Sequence, residues 1–309
     1  MARVAIVGAG AMGSVYAGLM VDAGHEVHAV CLWEDHVAAM NAQGLRVEGA
    51  SGDRTVPIRA TTTTDGIGVC DLVVIATKAF DVRAAALAAR PLVGPHTVVQ
   101  TIQNGLGSPE TAAAVLGGGR IAVGVVGGFG ASIRAPGHAH HNGMEMIRFA
   151  SYDALPRADL EASAGIWRSS GFQVALFDDV QQMVWEKLIM NVAFSGTTCA
   201  TGMTIGEVMG NPDAWKVAEG CSREAIAVAL AAGIRLDVGD DPIAHVRKLG
   251  GKIPGARPSM LLDHLARRRS EIDAINGAIP ALGAKYGVPT PMNETLVAVI
   301  RAREAGFSA

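Results

Sequence analysis

Residues 3–13 read RVAIVGAGAMG and join a short apolar run to three glycines with the spacing G-x-G-x-x-G. The run RVAIV is typical of a buried strand, and the helical pattern SVYAGLMVDAG follows the glycines. The segment EVHAVCL at 26–32 then predicts a second strand, so that the three segments form a βαβ unit. In this context the glycines predict a loop that binds the pyrophosphate of a dinucleotide; an incidental glycine turn is the alternative.

Each residue of the glycine loop has an expected task. Gly8 permits the tight turn, Gly10 lets the pyrophosphate approach the backbone, and Gly13 lets the helix pack closely on the strand. The helix N-terminus, at Ala11 and Met12, would direct its free N–H groups at the phosphates. We therefore predict that Gly8, Gly10, Ala11, Met12 and Gly13 bind the cofactor.

Strand and helix patterns continue beyond this unit and then change in character. Strand candidates lie at 45–48, 56–60, 71–76, 97–101 and 121–126, with helical patterns at 80–90 and 108–116. This alternation predicts an α/β fold with a Rossmann-type, doubly wound, mostly parallel sheet over 1–178. Helical patterns dominate afterwards, at 179–200, 204–209, 212–232, 240–249, 258–286 and 291–305. We predict that 179–309 is an all-helical domain for substrate binding and dimerisation, with a hinge near 178 for domain closure.

The composition excludes several classes of function. The chain has 309 residues, 50% of them hydrophobic, and a net charge of −3, which favours neither nucleic acid nor an anionic membrane as partner. No apolar stretch reaches the roughly 18 residues of a membrane span. The four cysteines lack metal-type spacing, and no secretory signal is visible, so we expect a cytoplasmic protein. The segment PGHAHHNG at 136–143 is interpreted as an exposed hairpin or strand, and no metal site is expected.

The tip of the second strand bears on the choice of dinucleotide. Glu34 lies 21 positions after Gly13, where an acidic residue suits the free 2′-hydroxyl of NAD(H). An arginine would suit the 2′-phosphate of NADP(H), and residues 32–35, LWED, contain none. Alternatively, Glu34 is an N-terminal charge on a helix over 34–43. The sequence leaves NADP(H) and NAD(H) both open.

The segment WEKLIMN at 185–191 places polar residues in an otherwise apolar helical pattern. Lys187 and Asn191 are four positions apart and share one helical face. One interpretation is a lysine whose ammonium reaches water from the helix edge. The other is catalytic, because a partly buried ammonium can donate a proton to the alkoxide formed when a ketone is reduced.

Taken together, several motifs resemble the ketopantoate reductase family over nearly the whole chain. They are GAGAMG, the TK pair Thr77–Lys78, QNG at 103–105, WEKLIMN, PSMLLD and SEIDAING. The resemblance implies a Rossmann domain, a helical domain and an active site in the cleft between them. It also implies reduction of a 2-keto acid with NADPH; the family's namesake makes pantoate for coenzyme A synthesis.

The resemblance also assigns roles to residues. Lys187 matches the catalytic lysine, which would act as general acid; Asn104 matches the asparagine beside nicotinamide and substrate, and Glu271 the glutamate of the proton network. Substrate contacts would come from Asn191, Ser195, Ser259 and Lys78, and further cofactor contacts from Leu32, Glu34, Lys78 and Asn104. Taken without the family, Asn104–Gly105 is an ordinary turn signal and Lys78 an ordinary solvated lysine.

Residue spacing gives Glu271 a second interpretation. Asp263, Arg267 and Glu271 are spaced i, i+4 and i+8, which is typical of an exposed salt-bridge ladder on a helix. On a straight helix Ser259 and Glu271 would stand about 120° apart and need not share a face.

Departures from the family pattern keep other functions open. Ser195 and Ala256 stand where the family has asparagines on the substrate side, and Leu32 where it commonly has the arginine that reads the 2′-phosphate. An NAD-dependent dehydrogenase that oxidises a different small hydroxy acid is therefore an alternative. A non-catalytic dinucleotide-sensing regulator is an alternative from another class.

Overall fold

The structure is a computed structural model that describes residues 1–128, 130–143 and 146–307. Residues 308 and 309 of the predicted helical domain lie outside these ranges. Over the described residues the chain forms two compact units: Met1–Gln103 with Gly107–Val180, and Asn104–Leu106 with Gln181–Ala309. The sequence places the boundary at 178/179, and it does not anticipate that Asn104–Leu106 belong to the second unit.

Over the described residues the first unit contains two sheets, and the larger one is mixed and mostly parallel. Its strands are β1 (Arg3–Val7), β2 (Glu26–Val30), β3 (Leu45–Gly49), β4 (Arg54–Val56), β5 (Arg59–Thr61), β6 (Leu72–Ile75), β7 (Val98–Thr101), β8 (Ile121–Val126), β9 (Gly130–Ala135), β10 (His138–Gly143), β11 (Ile147–Ser151) and β12 (Val174–Phe177). In the described part of the chain, the main sheet has eight strands in the order β12-β11-β8-β7-β6-β1-β2-β5. Only the β8–β11 pair is antiparallel among these described strands.

Alternating side chains cover both faces of this sheet. In β1, Val4 and Ile6 join one apolar core, and Ala5 and Val7 join another on the opposite face. The same alternation occurs in β6. A strand buried on both faces needs helices on both sides, so its sequence is apolar throughout. This is why RVAIV has no polar alternation after Arg3, and it agrees with the predicted doubly wound α/β fold.

The helices of the first unit supply the two covering layers. They are α1 (Ala11–Asp22), α2 (Glu34–Gln43), α3 (Val82–Ala89), α4 (Ser108–Leu116) and α5 (Arg157–Ser169). Residues of α1 and α5 belong to one core, and those of α3 and α4 to the other. In α5, Trp167 is fully buried, and its indole N–H donates to Gln100 Oε1 over 2.7 Å.

A second, smaller sheet was not predicted. Its strand order is β4-β3-β10-β9 in the described residues, and α1 packs so closely on it that a Cβ at Gly18 would meet Val47. The predicted strand 56–60 is wrong as one element, because Pro57 and Ile58 separate β4 from β5. The predicted exposed segment 136–143 forms a hairpin strand, but His141 is buried against this sheet.

The histidines of β10 also acquire a partner that their sequence neighbours do not reveal. His138 and His140 both contact the carboxylate of Glu48, at 3.2 and 3.3 Å. Among the described residues, no group of three or more His, Cys, Asp or Glu could hold a metal ion.

The second unit is helical. Its helices are α6 (Val180–Thr201), α7 (Ile205–Gly210), α8 (Pro212–Ala231), α9 (Pro242–Gly250), α10 (Ser259–Leu265), α11 (Ala278–Tyr286) and α12 (Pro291–Glu304). The core is formed largely by α6, α8 and α12, with Leu188, Val192, Cys221 and Leu296 among its buried side chains. None of the helices in the described ranges has the length and hydropathy of a membrane span.

The predicted continuous helix 258–286 is wrong. Helix α10 ends at Leu265, Arg267 takes a left-handed φ of 52°, and helical structure resumes only at Ala278. The intervening turns, residues 266–277, are named the 266–277 loop below. This break also excludes the helical ladder of Asp263, Arg267 and Glu271, because the three residues are not on one helix.

Candidate active site

The glycine loop follows β1 and is shaped by close contacts. Gly8 has a φ of 102°, and a Cβ there would lie 2.6 Å from the backbone nitrogen of Thr77. A Cβ at Gly13 would lie 2.4 Å from the Gly8 carbonyl oxygen, so α1 can pack this closely only with glycine. The backbone N–H groups of Gly8 and Ala9 both donate to Val30 O at 2.9 Å, which ties the loop to the end of β2.

The N-terminus of α1 has the features of a phosphate site. Gly10 is the N-cap residue, and among the described residues no side chain caps this helix end. Gly10 is exposed, and no described atom lies within 4 Å of the position of a Cβ there. Ala11 and Met12 open the helix with backbone N–H groups directed outward. The chain therefore offers an open approach, helix-dipole attraction and hydrogen-bond donors, which fit a dinucleotide pyrophosphate.

The tip of β2 places its residues in solvent. Leu32 is 86% exposed, and Trp33 is stacked on the ring of His36 with a centroid distance of 5.2 Å. Glu34 is exposed and, with Asp35, opens α2. The helix expected over 34–43 is thus present, and Glu34 stands at its N-terminus as well as at the tip.

His36 was not singled out in the sequence, yet it connects the tip to the glycine loop. Its Nδ1 accepts from the Gly137 N–H at 2.9 Å, and its Nε2 lies 3.0 Å from Ser14 Oγ. The Ser14 hydroxyl in turn donates to Ala9 O. Burial lowers the pKa of His36, so the neutral imidazole is favoured.

Gln103, the first residue of QNG, ties the ends of β6 and β7 together. Its side-chain amide donates to Ile75 O at 2.7 Å and to Thr77 O at 3.0 Å. Lys78 is the residue after Thr77. It is half-buried and precedes a 3-10 turn at Ala79–Asp81. No role was predicted for Gln103, although its position after a parallel strand was an available signal.

Asn104 and Lys187 come together in the second unit. The ammonium of Lys187 donates to Asn104 Oδ1 over 2.8 Å, and the amide of Asn191 lies 3.5 Å from the same oxygen. All three side chains are half-buried. The Asn104 oxygen accepts a charge-assisted hydrogen bond and so helps to orient the flexible lysine side chain.

Local backbone geometry explains why a glycine follows Asn104. Gly105 has a φ of 85°, and a Cβ there would lie 2.2 Å from Ala274 O. The same carbonyl accepts from the Leu106 N–H at 2.8 Å. Residues 104–106 are therefore held against the 266–277 loop.

The 266–277 loop is also bound to α6. Asn276 is fully buried, and its amide donates to Val192 O at 2.9 Å and to Asn293 Oδ1 at 3.0 Å. Glu271, in the same loop, is only 6% exposed. The loop thus joins Glu271, Asn104 and the helix of Lys187. Asn276 belongs to the SEIDAING motif, but sequence alone gave no reason to choose it.

The remaining predicted substrate residues lie along α6 and α10. Ser195, 5% exposed, is one turn beyond Asn191 on α6. Ser259 is exposed at the first position of α10, and the neighbouring Met260 carbonyl lies 3.8 Å from Cys199 Sγ. Helix α10 therefore begins beside the helix that carries Lys187. Ala256 packs, half-buried, against the core of the unit.

Comparisons with known proteins agree with these features. The family model described as "Ketopantoate reductase PanE/ApbA" matches residues 4–154, and that described as "Ketopantoate reductase PanE/ApbA C terminal" matches 179–304. A 2-dehydropantoate 2-reductase of Mesorhizobium japonicum is 30% identical and covers 97% of each chain.

Solved structures show the same fold over almost the entire chain. A PanE/ApbA family ketopantoate reductase from Ralstonia eutropha JMP134 is 32% identical with a TM-score of 0.89, covering 99% of each chain. D-mandelate dehydrogenase, solved with NADH and anilino(oxo)acetate, is 25% identical with a TM-score of 0.91 and the same coverage. Matching family models over most of the chain and these full-length relatives lead to one conclusion: the chain belongs to the ketopantoate reductase family of NAD(P)-dependent oxidoreductases.

Proposed function

We propose that this protein reduces a small 2-keto acid to the 2-hydroxy acid, with 2-dehydropantoate, which gives pantoate, as the default substrate. The observation that carries the proposal is the Lys187 ammonium held by Asn104 Oδ1 at 2.8 Å. Relatives named 2-dehydropantoate 2-reductase cover nearly the whole chain and support the substrate class. Pantothenate biosynthesis is the corresponding pathway.

Lys187 is the general acid in this proposal. As the carbonyl becomes an alkoxide, the ammonium donates a proton to that oxygen, and its charge attracts the substrate carboxylate. Asn104 fixes the direction of the ammonium. Asn191 adds an amide on the same helical face, within reach of the substrate. When bound, the reduced nicotinamide supplies the hydride.

Glu271 and the cofactor-side residues complete the proposal. Glu271 is buried in the loop that also holds residues 104–106, which suits a role in substrate binding and proton transfer. Gly8, Gly10, Ala11, Met12 and Gly13 bind the pyrophosphate, and Leu32 and Glu34 face the adenosine ribose. Lys78 and Asn104 contribute on the nicotinamide side, and Ser195 and Ser259 bind substrate.

The test is a spectrophotometric assay of reduced nicotinamide with 2-dehydropantoate, using NADPH and NADH separately. Wild-type protein should turn the substrate over, and Lys187→Ala should lower kcat by about 10²–10⁴-fold, the range for general acid catalysis. Lys248→Ala, at an exposed position, is the matched control and should keep wild-type kcat. Equal activity of Lys187→Ala and wild type would contradict the proposed role of the lysine.

A second candidate is an NAD-dependent dehydrogenase for a different small hydroxy acid. Ser195 and Ala256 offer no side-chain amide to a substrate hydroxyl, and Leu32 offers no cation to a 2′-phosphate. The similarity to D-mandelate dehydrogenase, solved with NADH, points the same way. A panel of 2-hydroxy acids, including mandelate, with NAD and NADP separates the two candidates: turnover of a panel member without turnover of 2-dehydropantoate favours the second.

A non-catalytic dinucleotide-sensing regulator is the remaining alternative, and the Lys187–Asn104 pair argues against it.

We further propose a cytoplasmic homodimer. Exposed apolar side chains on the helical unit, such as Leu230, Leu265 and Val299, support self-association. Sedimentation equilibrium tests it: a single species of monomer mass at micromolar concentration would contradict the dimer.

A further inference from the structure

The end of α12 is hydrogen-bonded to the 266–277 loop immediately before Glu271. Oε1 of Glu304 accepts hydrogen bonds from the Ser270 backbone N–H at 2.8 Å and from its hydroxyl at 2.6 Å. The same oxygen lies 3.0 Å from His264 Nε2 at the end of α10. The side chain of His264 is fully buried and that of Glu304 is 12% exposed. A carboxylate that is shielded from water binds such donors strongly.

A second contact grips the loop on the other side of Glu271. Asp273 accepts from Arg301 Nε at 2.8 Å, and Arg301 lies one turn before Glu304 on α12. Glu271 is therefore flanked by two residues, Ser270 and Asp273, that are both bound to the same helix.

The same helix end also binds the helix that carries the lysine. Arg303 Nη1 donates to Cys199 O on α6 at 2.8 Å. The last turn of α12 thus connects the 266–277 loop with α6, although none of its residues is in a motif that the sequence singled out.

We infer that Glu304 is a positioning residue for the reduction: it fixes Ser270, and through Ser270 it holds the Glu271 carboxyl in its working position. This inference rests on the proposed function. Glu304 acts only through its neighbours, so its effect on catalysis must disappear when the Glu271 carboxylate is absent. Small displacements of a catalytic group are costly, about 10²-fold for 1 Å.

A double-mutant cycle on the full-length protein tests the inference. Glu304→Ala should lower kcat for the 2-keto acid by about tenfold or more, while KM for the nicotinamide cofactor stays within about twofold. In the Glu271→Gln background the same change should lower kcat by less than about threefold. A double variant whose loss equals the product of the two single losses would overturn the inference.

Arg303→Met is the matched control. It removes an anchor from the same helical turn, but the anchor leads to α6 and not to the 266–277 loop. We expect a fall in melting temperature like that of Glu304→Ala, and a kcat effect that multiplies with that of Glu271→Gln. A purely structural role for Glu304 would make the two variants behave alike, and the inference would then be wrong.

Two further arms keep the inference testable. If Glu304→Ala does not fold, Glu304→Gln keeps the chain length and one acceptor oxygen, and the same cycle should show a smaller loss with the same non-additivity. Amide hydrogen exchange over 266–277 needs no substrate, and it should be faster in the Glu304 variant than in wild type or Arg303→Met. Unchanged exchange would overturn the inference even if the proposed reductase activity were absent, whereas full activity of Glu271→Gln would overturn it and leave the role of Lys187 untouched.

Discussion

The ammonium of Lys187 donates a hydrogen bond to the side-chain oxygen of Asn104 across 2.8 Å, although 83 positions separate the two residues in the chain. Hydrogen bonds that involve a charged group contribute about 1.5–3 kcal/mol. If this bond orients the acid, losing it should slow the proton transfer and leave cofactor affinity largely intact.

Asn104→Ala should therefore lower kcat for the 2-keto acid by about tenfold to a hundredfold, the kinetic equivalent of that energy. Steady-state kinetics at saturating cofactor measure it. Because the bond also ties residues 104–106 to α6, we expect the melting temperature to fall as well, and kcat is measured well below it. In a Lys187→Ala background the same substitution should have almost no effect on kcat, and a full further loss there would contradict the orienting role.

Gly105→Ala should destabilise the protein strongly. The change costs about 1–2 kcal/mol for the left-handed backbone, and the new methyl group would collide with Ala274 O, 2.2 Å away. Gly107→Ala is the control, since it has a φ of 91° but no described atom within 4 Å of a Cβ. Calorimetric melting should show a clearly larger decrease for Gly105→Ala. Equal decreases would mean that contact with the 266–277 loop is unimportant.

Gly10→Ala should weaken cofactor binding without destabilising the unliganded protein. A methyl group there would have no described protein atom within 4 Å, but it would obstruct the approach of a pyrophosphate. We expect Kd for the dinucleotide, measured by fluorescence titration, to rise at least about tenfold, or ~1.4 kcal/mol. Gly13→Ala is the contrasting variant, because its methyl group would meet Gly8 O and lower the melting temperature. Wild-type affinity in Gly10→Ala would argue against the predicted phosphate site.

Leu32→Arg should shift the cofactor preference towards NADP(H). Leu32 is 86% exposed at the tip of β2, where a guanidinium could bind a 2′-phosphate. We expect the ratio of kcat/KM for NADPH to that for NADH to rise about tenfold, which is the effect expected of one charge-assisted hydrogen bond to the 2′-phosphate. Leu87→Arg adds the same charge to an exposed position on α3 and should leave the ratio unchanged. A ratio that moves equally in both variants would indicate a general charge effect.

Acidification should destabilise the first unit through its buried histidines. Burial lowers the pKa of His36, and that of His141 likewise, below the usual value of about 6.5. The unfolded chain therefore binds protons first, so the free energy of unfolding falls as pH drops through the range below about 6.5. In His36→Gln, the fall in melting temperature between about pH 7.5 and pH 5.5 should be smaller than in wild type.

The range between about pH 7.5 and pH 8.5 lies above this window and serves as the control, where both proteins should respond to pH alike. The carboxylates with lowered pKa, such as Glu48, contribute only at more acidic pH. An identical fall in wild type and His36→Gln would mean that protonation of His36 does not lower the free energy of unfolding.

Local signals predicted the βαβ unit at the start of the chain well, because the information there is local. RVAIV, the three glycines and α1 follow one another within 22 residues, and each restricts the next. The second sheet was missed because β3 and β10 pair across about ninety positions, and no short-range pattern encodes that pairing.

In the candidate site, helical spacing placed Lys187 and Asn191 on one face, and both do lie on α6. Their roles came from the family resemblance and stay predictions. Spacing failed for Glu271, because the helix assumed to carry it ends before Arg267. Arginine is not a residue type that predicts a left-handed φ, so the sequence contained no sign of this break. His36, Gln103, Asn276 and Glu304 were missed for a related reason. Their importance lies in backbone groups that they bind far along the chain.

The detour of residues 104–106 into the second unit limits how the gene could be recombined. A chimera joined near residue 180 would take Asn104 from one parent and Lys187 from the other, together with mismatched surfaces around Gly105 and Ala274. Likewise, a fragment that starts at residue 181 would lack Asn104, whose oxygen accepts a hydrogen bond from Lys187. Shuffling between family members should therefore succeed more often when the donor of the helical half also supplies residues 103–107.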